Sequence, residues 1–225
     1  SMFDLEQVEI YRGPQGTRFG ANALAGLINL SSNAPSDSFE GNAKVTMGNY
    51  GSFGAGLALS GPMNDGVNYR LAIEQYKSDG FIENSYLDRD DTNDRDELSL
   101  RSKFNIQASD DLVVDIAIFH FDFDNGYDAF SLDNTRETLS DQPGVDLQKT
   151  TATSVKFTYQ GFQTFDLVSI ITGADSDLTY GYDEDWSFEG IRAGWEYSST
   201  DYYFRDRETF TAEMRLVSNQ DNKIF

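Results

Sequence analysis

The stretch VEIYRGPQGTRFGANALAGLINL, Val8 to Leu30, decides how the rest of the chain is read. Two short β-type runs, Val8 to Tyr11 and Leu27 to Leu30, bracket a segment carrying four glycines and one proline. Gly13-Pro14 is a turn dipeptide, and glycines serve where backbone turns through positive φ or approaches another backbone. The stretch therefore predicts strand, tight connection, strand. A phosphate-cradling loop is the competing reading, but no Gly-Lys-Ser/Thr follows and Gly13-x-x-Gly16 does not complete the dinucleotide spacing.

Taken whole, the string resembles the C-terminal end of the plug domain of TonB-dependent outer-membrane receptors. That family's pattern, (I/V)E(V/I)xRGPQGxxxGxNAxxGxINx, runs through most of Val8 to Leu30. The match is far more specific than a lone glycine motif.

The 225 residues are 39% hydrophobic and 14% aromatic, with no cysteine and one histidine, His120. Disulfides, thiolate metal sites and multi-histidine metal sites are thereby excluded. No window approaches the roughly 18 apolar residues of a transmembrane helix, whereas barrel strands, apolar only at alternate positions, stay open. No signal peptide is visible at Ser1. With 38 acidic and 17 basic residues the formal charge is −21, so the basic face that nucleic-acid binding requires is absent. Asp79 to Asp96, Asn125 to Lys149 and Asp175 to Glu208 hold 22 of the 38 acids. Charge thus gathers between the strand candidates.

After Pro35 the texture becomes alternation of period two. Strands are expected at Phe39 to Asn49, Gly54 to Ser60, Val67 to Lys77, Glu97 to Gln107, Leu112 to Asp124, Thr150 to Gln160, Thr164 to Ala174 and Thr209 to Ser218. A turn at Asn219 to Asn222 and a ninth strand from Lys223 are expected to follow. The connections lengthen every second time, the form of an up-and-down transmembrane barrel with tight turns at one end and long loops at the other. The rhythm argues an all-β antiparallel fold; with the plug-like stretch before it, the resemblance implies part of a large transmembrane barrel, residues 36–225, entered from the end of a plug, residues 1–35. Two rivals are a small complete eight-strand outer-membrane barrel or adhesin, which predicts closure of the first strand on the eighth, and a soluble β-sandwich carbohydrate-binding module, which predicts a packed apolar core.

The resemblance extends weakly through Phe39-Glu40-Gly41, Gly48-Asn49-Tyr50-Gly51, Ser60-Gly61-Pro62, Asp79-Gly80-Phe81 and Glu213-Met214-Arg215-Leu216, in family order. It implies about eight of roughly 22 barrel strands, hence a fragment of a receptor. It also implies uptake of a scarce nutrient, foremost a ferric siderophore, across the outer membrane of a Gram-negative bacterium. The partners it implies are the TonB-ExbB-ExbD complex, whose contact segment is not in this chain, and outer-membrane lipid and lipopolysaccharide. No enzymatic activity and no cofactor are expected.

Arg12 is the plug charge singled out. Enclosed by a barrel wall, it needs a carboxylate, with Glu213 and Glu74 as candidates, or lumen water. Tyr127, Phe130, Tyr180, Tyr182, Trp186, Trp195 and Tyr197, all expected in long loops, are ligand-stacking candidates. Tyr202, Tyr203 and Phe204 read as an interfacial girdle. Asp88 to Asp94 lacks the glycine and glutamate of an EF-hand loop and reads as a solvated acidic loop. His120, Asp122 and Asp124 are expected on the lumen face.

Overall fold

A computed structural model describes residues 2–19 and 23–218; the expected turn and ninth strand after Ser218 lie outside the described residues. Strand β1 (Leu5–Arg12), the one-turn helix α1 (Gly16–Phe19) and β2 (Gly26–Ser32) realise the strand, connection, strand reading. β1 and β2 pair antiparallel from Leu5↔Ser32 to Arg12↔Gly26. Gly13 sits at φ +83°, in the region where glycine carries no steric cost.

The chain then forms β3 (Glu40–Met47), β4 (Phe53–Asn64), β5 (Val67–Ser78), β6 (Glu83–Asn84), β7 (Arg95–Ser109) and β8 (Leu112–Tyr127). It continues with β9 (Glu137–Thr138), β10 (Gly144–Tyr159), β11 (Phe165–Asp183) and β12 (Thr200–Ser218). Eight of these make one antiparallel sheet in the order β3-β4-β5-β7-β8-β10-β11-β12, a meander in chain order. β3 and β12 are its opposite edges, so the first strand does not close on the eighth. The other two sheets, β1-β2 and β6-β9, have two strands each. The buried hydrophobic residues among those described are Phe3, Ala23, Ala58, Ala72 and Ile82, too few and too small for a sandwich core.

One end of the sheet carries the tight turns 65–66, 110–111 and 160–164; the other carries turn 48–52 and the long connections 79–94, 128–143 and 184–199. The rhythm read from the sequence holds, but the late strands are longer than expected. β10, β11 and β12 run 16, 19 and 19 residues, whereas crossing hydrocarbon takes about 9–11. Their extra length is the acidic stretch taken from sequence as loop. Once a strand leaves an apolar medium, both faces are polar, and the alternation that marks a strand disappears.

Register assigns the faces. Arg101 of β7 stands opposite Phe119, which stands opposite Ala152, then Ala174, then Thr209. Residues of this parity form the inner face, the one that holds the base of the β1–β2 hairpin at Phe3, Asp4 and Ser32. The outer face of β8 presents Val114, Ile116 and Ile118, opposite Ile106, Phe104 and Ser102. On β12 it presents Phe210, Met214 and Leu216, which are 75, 72 and 67% exposed. An apolar surface left this bare calls for an apolar surrounding. Further along the same face lie His120 and Asp122, opposite Leu100 and Leu98, and Asp175 and Asp177, opposite Glu208 and Asp206.

This corrects the lumen placement of His120, Asp122 and Asp124. Their neighbours Phe119, Phe121 and Phe123 take the inner face instead. Polar-in, apolar-out holds only within the apolar band, and β8 has left that band by His120.

Candidate functional site

Two features of the inner face are built by side chains. The first holds the β1–β2 segment. Asp4, at φ +58° and buried, receives Arg70 as a fork: Nε donates to Oδ2 at 2.8 Å and a terminal nitrogen to Oδ1 at 2.5 Å. The other terminal nitrogen of Arg70 donates to Glu40 Oε1 at 2.7 Å. Asn33 Nδ2 donates to Asp4 Oδ1 at 2.9 Å, tying the two ends of the hairpin together. Beside them Arg101 donates to the Phe3 carbonyl and Lys103 to the Ser32 carbonyl, both at 2.6 Å. Alternation puts these three cations on one face of β5 and β7, since Lys103 stands opposite Arg70 and Arg101 opposite Ala72.

Burial alone would push the Asp4 carboxyl up. The Arg70 and Asn33 hydrogen bonds, with the charges of Arg70 and Arg101, outweigh it and hold the group below the usual aspartate value. Phe3 packs on Ala58 and Ala72, and over Gly56, where a Cβ would stand 3.1 Å from the ring. Only a glycine lets the ring sit this close without displacement.

Of the two readings open to Arg12, neither carboxylate pairing is formed. Arg12 is exposed at the turn end of β1, Glu213 pairs with Arg215 of its own strand, and Glu74 lies 3.8 Å from Lys44. The anchor is at the opposite end of the hairpin. The conspicuous turn drew the sequence reading to its own arginine, while Asp4 lies before the motif and its partner Arg70 lies 66 residues away.

The second feature lies at the long-loop end. Tyr180 and Tyr182 are in strand β11 and Tyr127 ends strand β8, so these three are not in loops; Tyr180 and Tyr182 face inward, opposite Tyr203 and Asp201. Around them the rings form a continuous lattice. Tyr127 lies 4.9 Å from Tyr180 and 5.8 Å from Phe130, centroid to centroid. Phe130 lies 5.5 Å from Tyr182 and stacks on Trp186 at 5.0 Å. The Tyr182 and Tyr203 hydroxyls both donate to Asp201 Oδ2, at 3.2 and 2.8 Å. Five of the seven aromatic candidates thus converge. Trp195 and Tyr197 contact each other edge-on at 6.5 Å, and Trp195 lines a separate cavity of about 220 Å³ with Leu132, Ile191 and Arg192. Tyr202 and Phe204 stack on the outer face at 6.1 Å, while Tyr203 between them turns inward.

The lattice rests on a polar junction between loops. β6 and β9 pair in parallel, joining connections 79–94 and 128–143. Asn84 Nδ2 donates to Asp128 Oδ2 at 2.8 Å and to the Ser140 carbonyl at 2.9 Å, and Thr138 Oγ1 donates to the same Asp128 oxygen at 2.8 Å. The third connection joins through Asp141 N to the Ser187 carbonyl at 3.1 Å and through Tyr86 stacked on Phe188 at 4.3 Å. Asp128 and Ser140 line a small cavity together with Tyr127, Phe130, Tyr182 and Trp186. Sequence reasoning missed Asn84, Asp128 and Thr138, because short polar residues in loops carry no periodic signal. The aromatic faces offer stacking to a planar ligand group; among the described residues no three His, Cys, Asp or Glu side chains gather to hold a metal ion.

No family model matches the chain. It is 32% identical over 92 residues to the pesticin receptor of Yersinia enterocolitica, covering 40% of this chain and 14% of that protein. In fold it is similar to the siderophore receptor PiuA of Acinetobacter baumannii, with a TM-score of 0.76 at 16% identity, over 96% of this chain and 32% of that one. It is also similar to the ferric yersiniabactin uptake receptor FyuA of Yersinia pestis, with a TM-score of 0.70 at 20% identity, over 80% of this chain and 29% of that one. The match thus spans 14% of the pesticin receptor and about a third of the two structural neighbours. In sequence over 92 residues and in its antiparallel β fold over most of its length, the chain is similar to TonB-dependent siderophore receptors.

Proposed function

We propose that residues 1–35 are the end of a plug and residues 36–225 the opening wall of a barrel in a receptor that takes up a ferric siderophore across the outer membrane of a Gram-negative bacterium. Uptake is driven by the TonB-ExbB-ExbD complex. The apolar outer band faces lipid, and the acidic extension beyond it stands among lipopolysaccharide head groups.

The observation that carries the reading is the placement of the aromatic lattice. It sits on the inner face, at the long-loop end, on the side of the sheet occupied by the clamped hairpin. A ligand entering between loops and plug meets ring faces there. In the full receptor, the double replacement Tyr182→Ala and Trp186→Ala removes two ring contacts. Capture of ferric yersiniabactin, the cargo of one structural neighbour, is expected to weaken roughly tenfold, at about 0.5–1.5 kcal/mol per aromatic contact. Binding of radio-iron to whole cells at matched receptor abundance measures this. Unchanged capture would remove the lattice from the ligand site, and uptake that persists in cells lacking TonB would remove the energy coupling.

A further inference from the structure

Three of the four most completely buried large side chains among the described residues, Asn84, Thr138 and Ser140, lie not under the sheet but in the loops. They surround Asp128, the residue next to Tyr127 of the aromatic lattice. Connection 79–94 supplies no ring to that lattice, yet it supplies the central donor: Asn84 holds Asp128 with one hydrogen of its amide nitrogen and the Ser140 carbonyl with the other, while its Oδ1 accepts from Leu87 N at 2.9 Å. Ser85 N to the Thr138 carbonyl at 3.0 Å and Glu83 N to the Arg136 carbonyl at 2.9 Å add backbone ties across the same seam.

We propose that the three long connections form one body, the first two keyed together by Asn84 and the third joined to them through Ser187 and Phe188, and that Asn84 is a positioning residue that sets the orientation of the Tyr127–Phe130–Trp186 rings without touching them. The physical ground is the cost of parting. Opening the seam strands a carboxylate, a hydroxyl and an amide that are all buried, each of which then lacks its partner. Loops joined only by exposed contacts open independently; loops sharing one buried donor open together. The ligand role of the rings rests on the function proposed above, whereas the coupling of the loops does not.

The test is hydrogen exchange on the intact receptor without ligand, with Trp186 emission as a second readout. Asn84→Asp sets two carboxylates face to face and is expected to speed exchange across residues 128–143 by roughly tenfold or more, the effect of losing one hydrogen bond to a charged group, and to shift Trp186 emission. The swap Asn84→Asp with Asp128→Asn restores an N–H donor facing a carboxylate and is expected to recover much of both signals. Exchange changes confined to 79–94, or a double variant whose effect is the sum of the two singles, would overturn the proposal. Because the chain has no cysteine, the pair Glu83→Cys and Glu137→Cys, partners across the β6–β9 bridge, gives a variant that cannot part. Its exchange in 128–143 is expected to be as slow as in the parent or slower, and faster exchange would contradict a native seam. If these outcomes hold while ferric-siderophore capture ignores the rings, the functional reading fails and the coupling stands.

Discussion

Replacing Arg70 with alanine is expected to cost about 3–5 kcal/mol in the docking of the β1–β2 hairpin, the range for breaking a buried pair by removing one partner. The side chains of Arg70 and Asp4 are 10 and 3% exposed, so the buried carboxylate loses its paired charge and keeps only the Asn33 hydrogen bond and the more distant charge of Arg101. Arg70→Lys keeps the charge but not the fork, and is expected to fall between parent and alanine. Exchange protection of residues 5–12 against urea in the full receptor measures both.

The pH dependence follows from the depressed pKa of Asp4. A carboxyl whose folded value lies below its unfolded value contributes stability that is complete above about pH 4 and lost as pH falls through the folded value. The hairpin of the parent is therefore expected to loosen only in acid below that point. In the Asp4→Asn variant this acid step disappears: docking is weaker than in the parent above about pH 4, and the two converge in acid.

The second large effect is expected at Phe3. Its ring is 6% exposed and lies against Gly56, Ala58 and Ala72, small residues on adjacent inner-face positions of β4 and β5. Phe3→Ala leaves that hollow empty, at about 3–5 kcal/mol. The reciprocal change, Gly56→Leu, fills the hollow from the other side and is expected to displace the ring and weaken docking by about 1–3 kcal/mol. Because Phe3 and Asp4 are successive residues docked on one surface, Phe3→Ala and Arg70→Ala are expected to cost less together than their sum. The urea midpoint of the same exchange signal reads all three.

The strands that cross the apolar band were legible because apolar and polar residues alternate there, as in Glu97 to Gln107, which falls inside β7. The glycine-rich stretch was legible as strand, turn, strand for the same local reasons. What escaped was set by distance or by medium. Asp4 finds Arg70 across 66 residues, and no spacing rule announces the pair. Tyr180 and Tyr182 were grouped with loop aromatics because β11 continues past the apolar band into a stretch polar on both faces. Five of the seven rings do meet, but the reason they meet, inner-face parity plus the Asn84–Asp128 seam, is a property of register and of buried polar contacts that composition does not encode.

A sheet that is barrel wall in an outer membrane has its long-loop end outside and its tight turns within. In a receptor free of cysteine, Leu132→Cys places one thiol in connection 128–143, and Asp110→Cys places one in the tight turn at the other end; both positions are exposed. With a maleimide that cannot cross the outer membrane, Leu132→Cys is expected to label in intact cells. Asp110→Cys is expected to label only after that membrane is permeabilised. Labelling of both in intact cells, or of Asp110→Cys alone, would contradict the account.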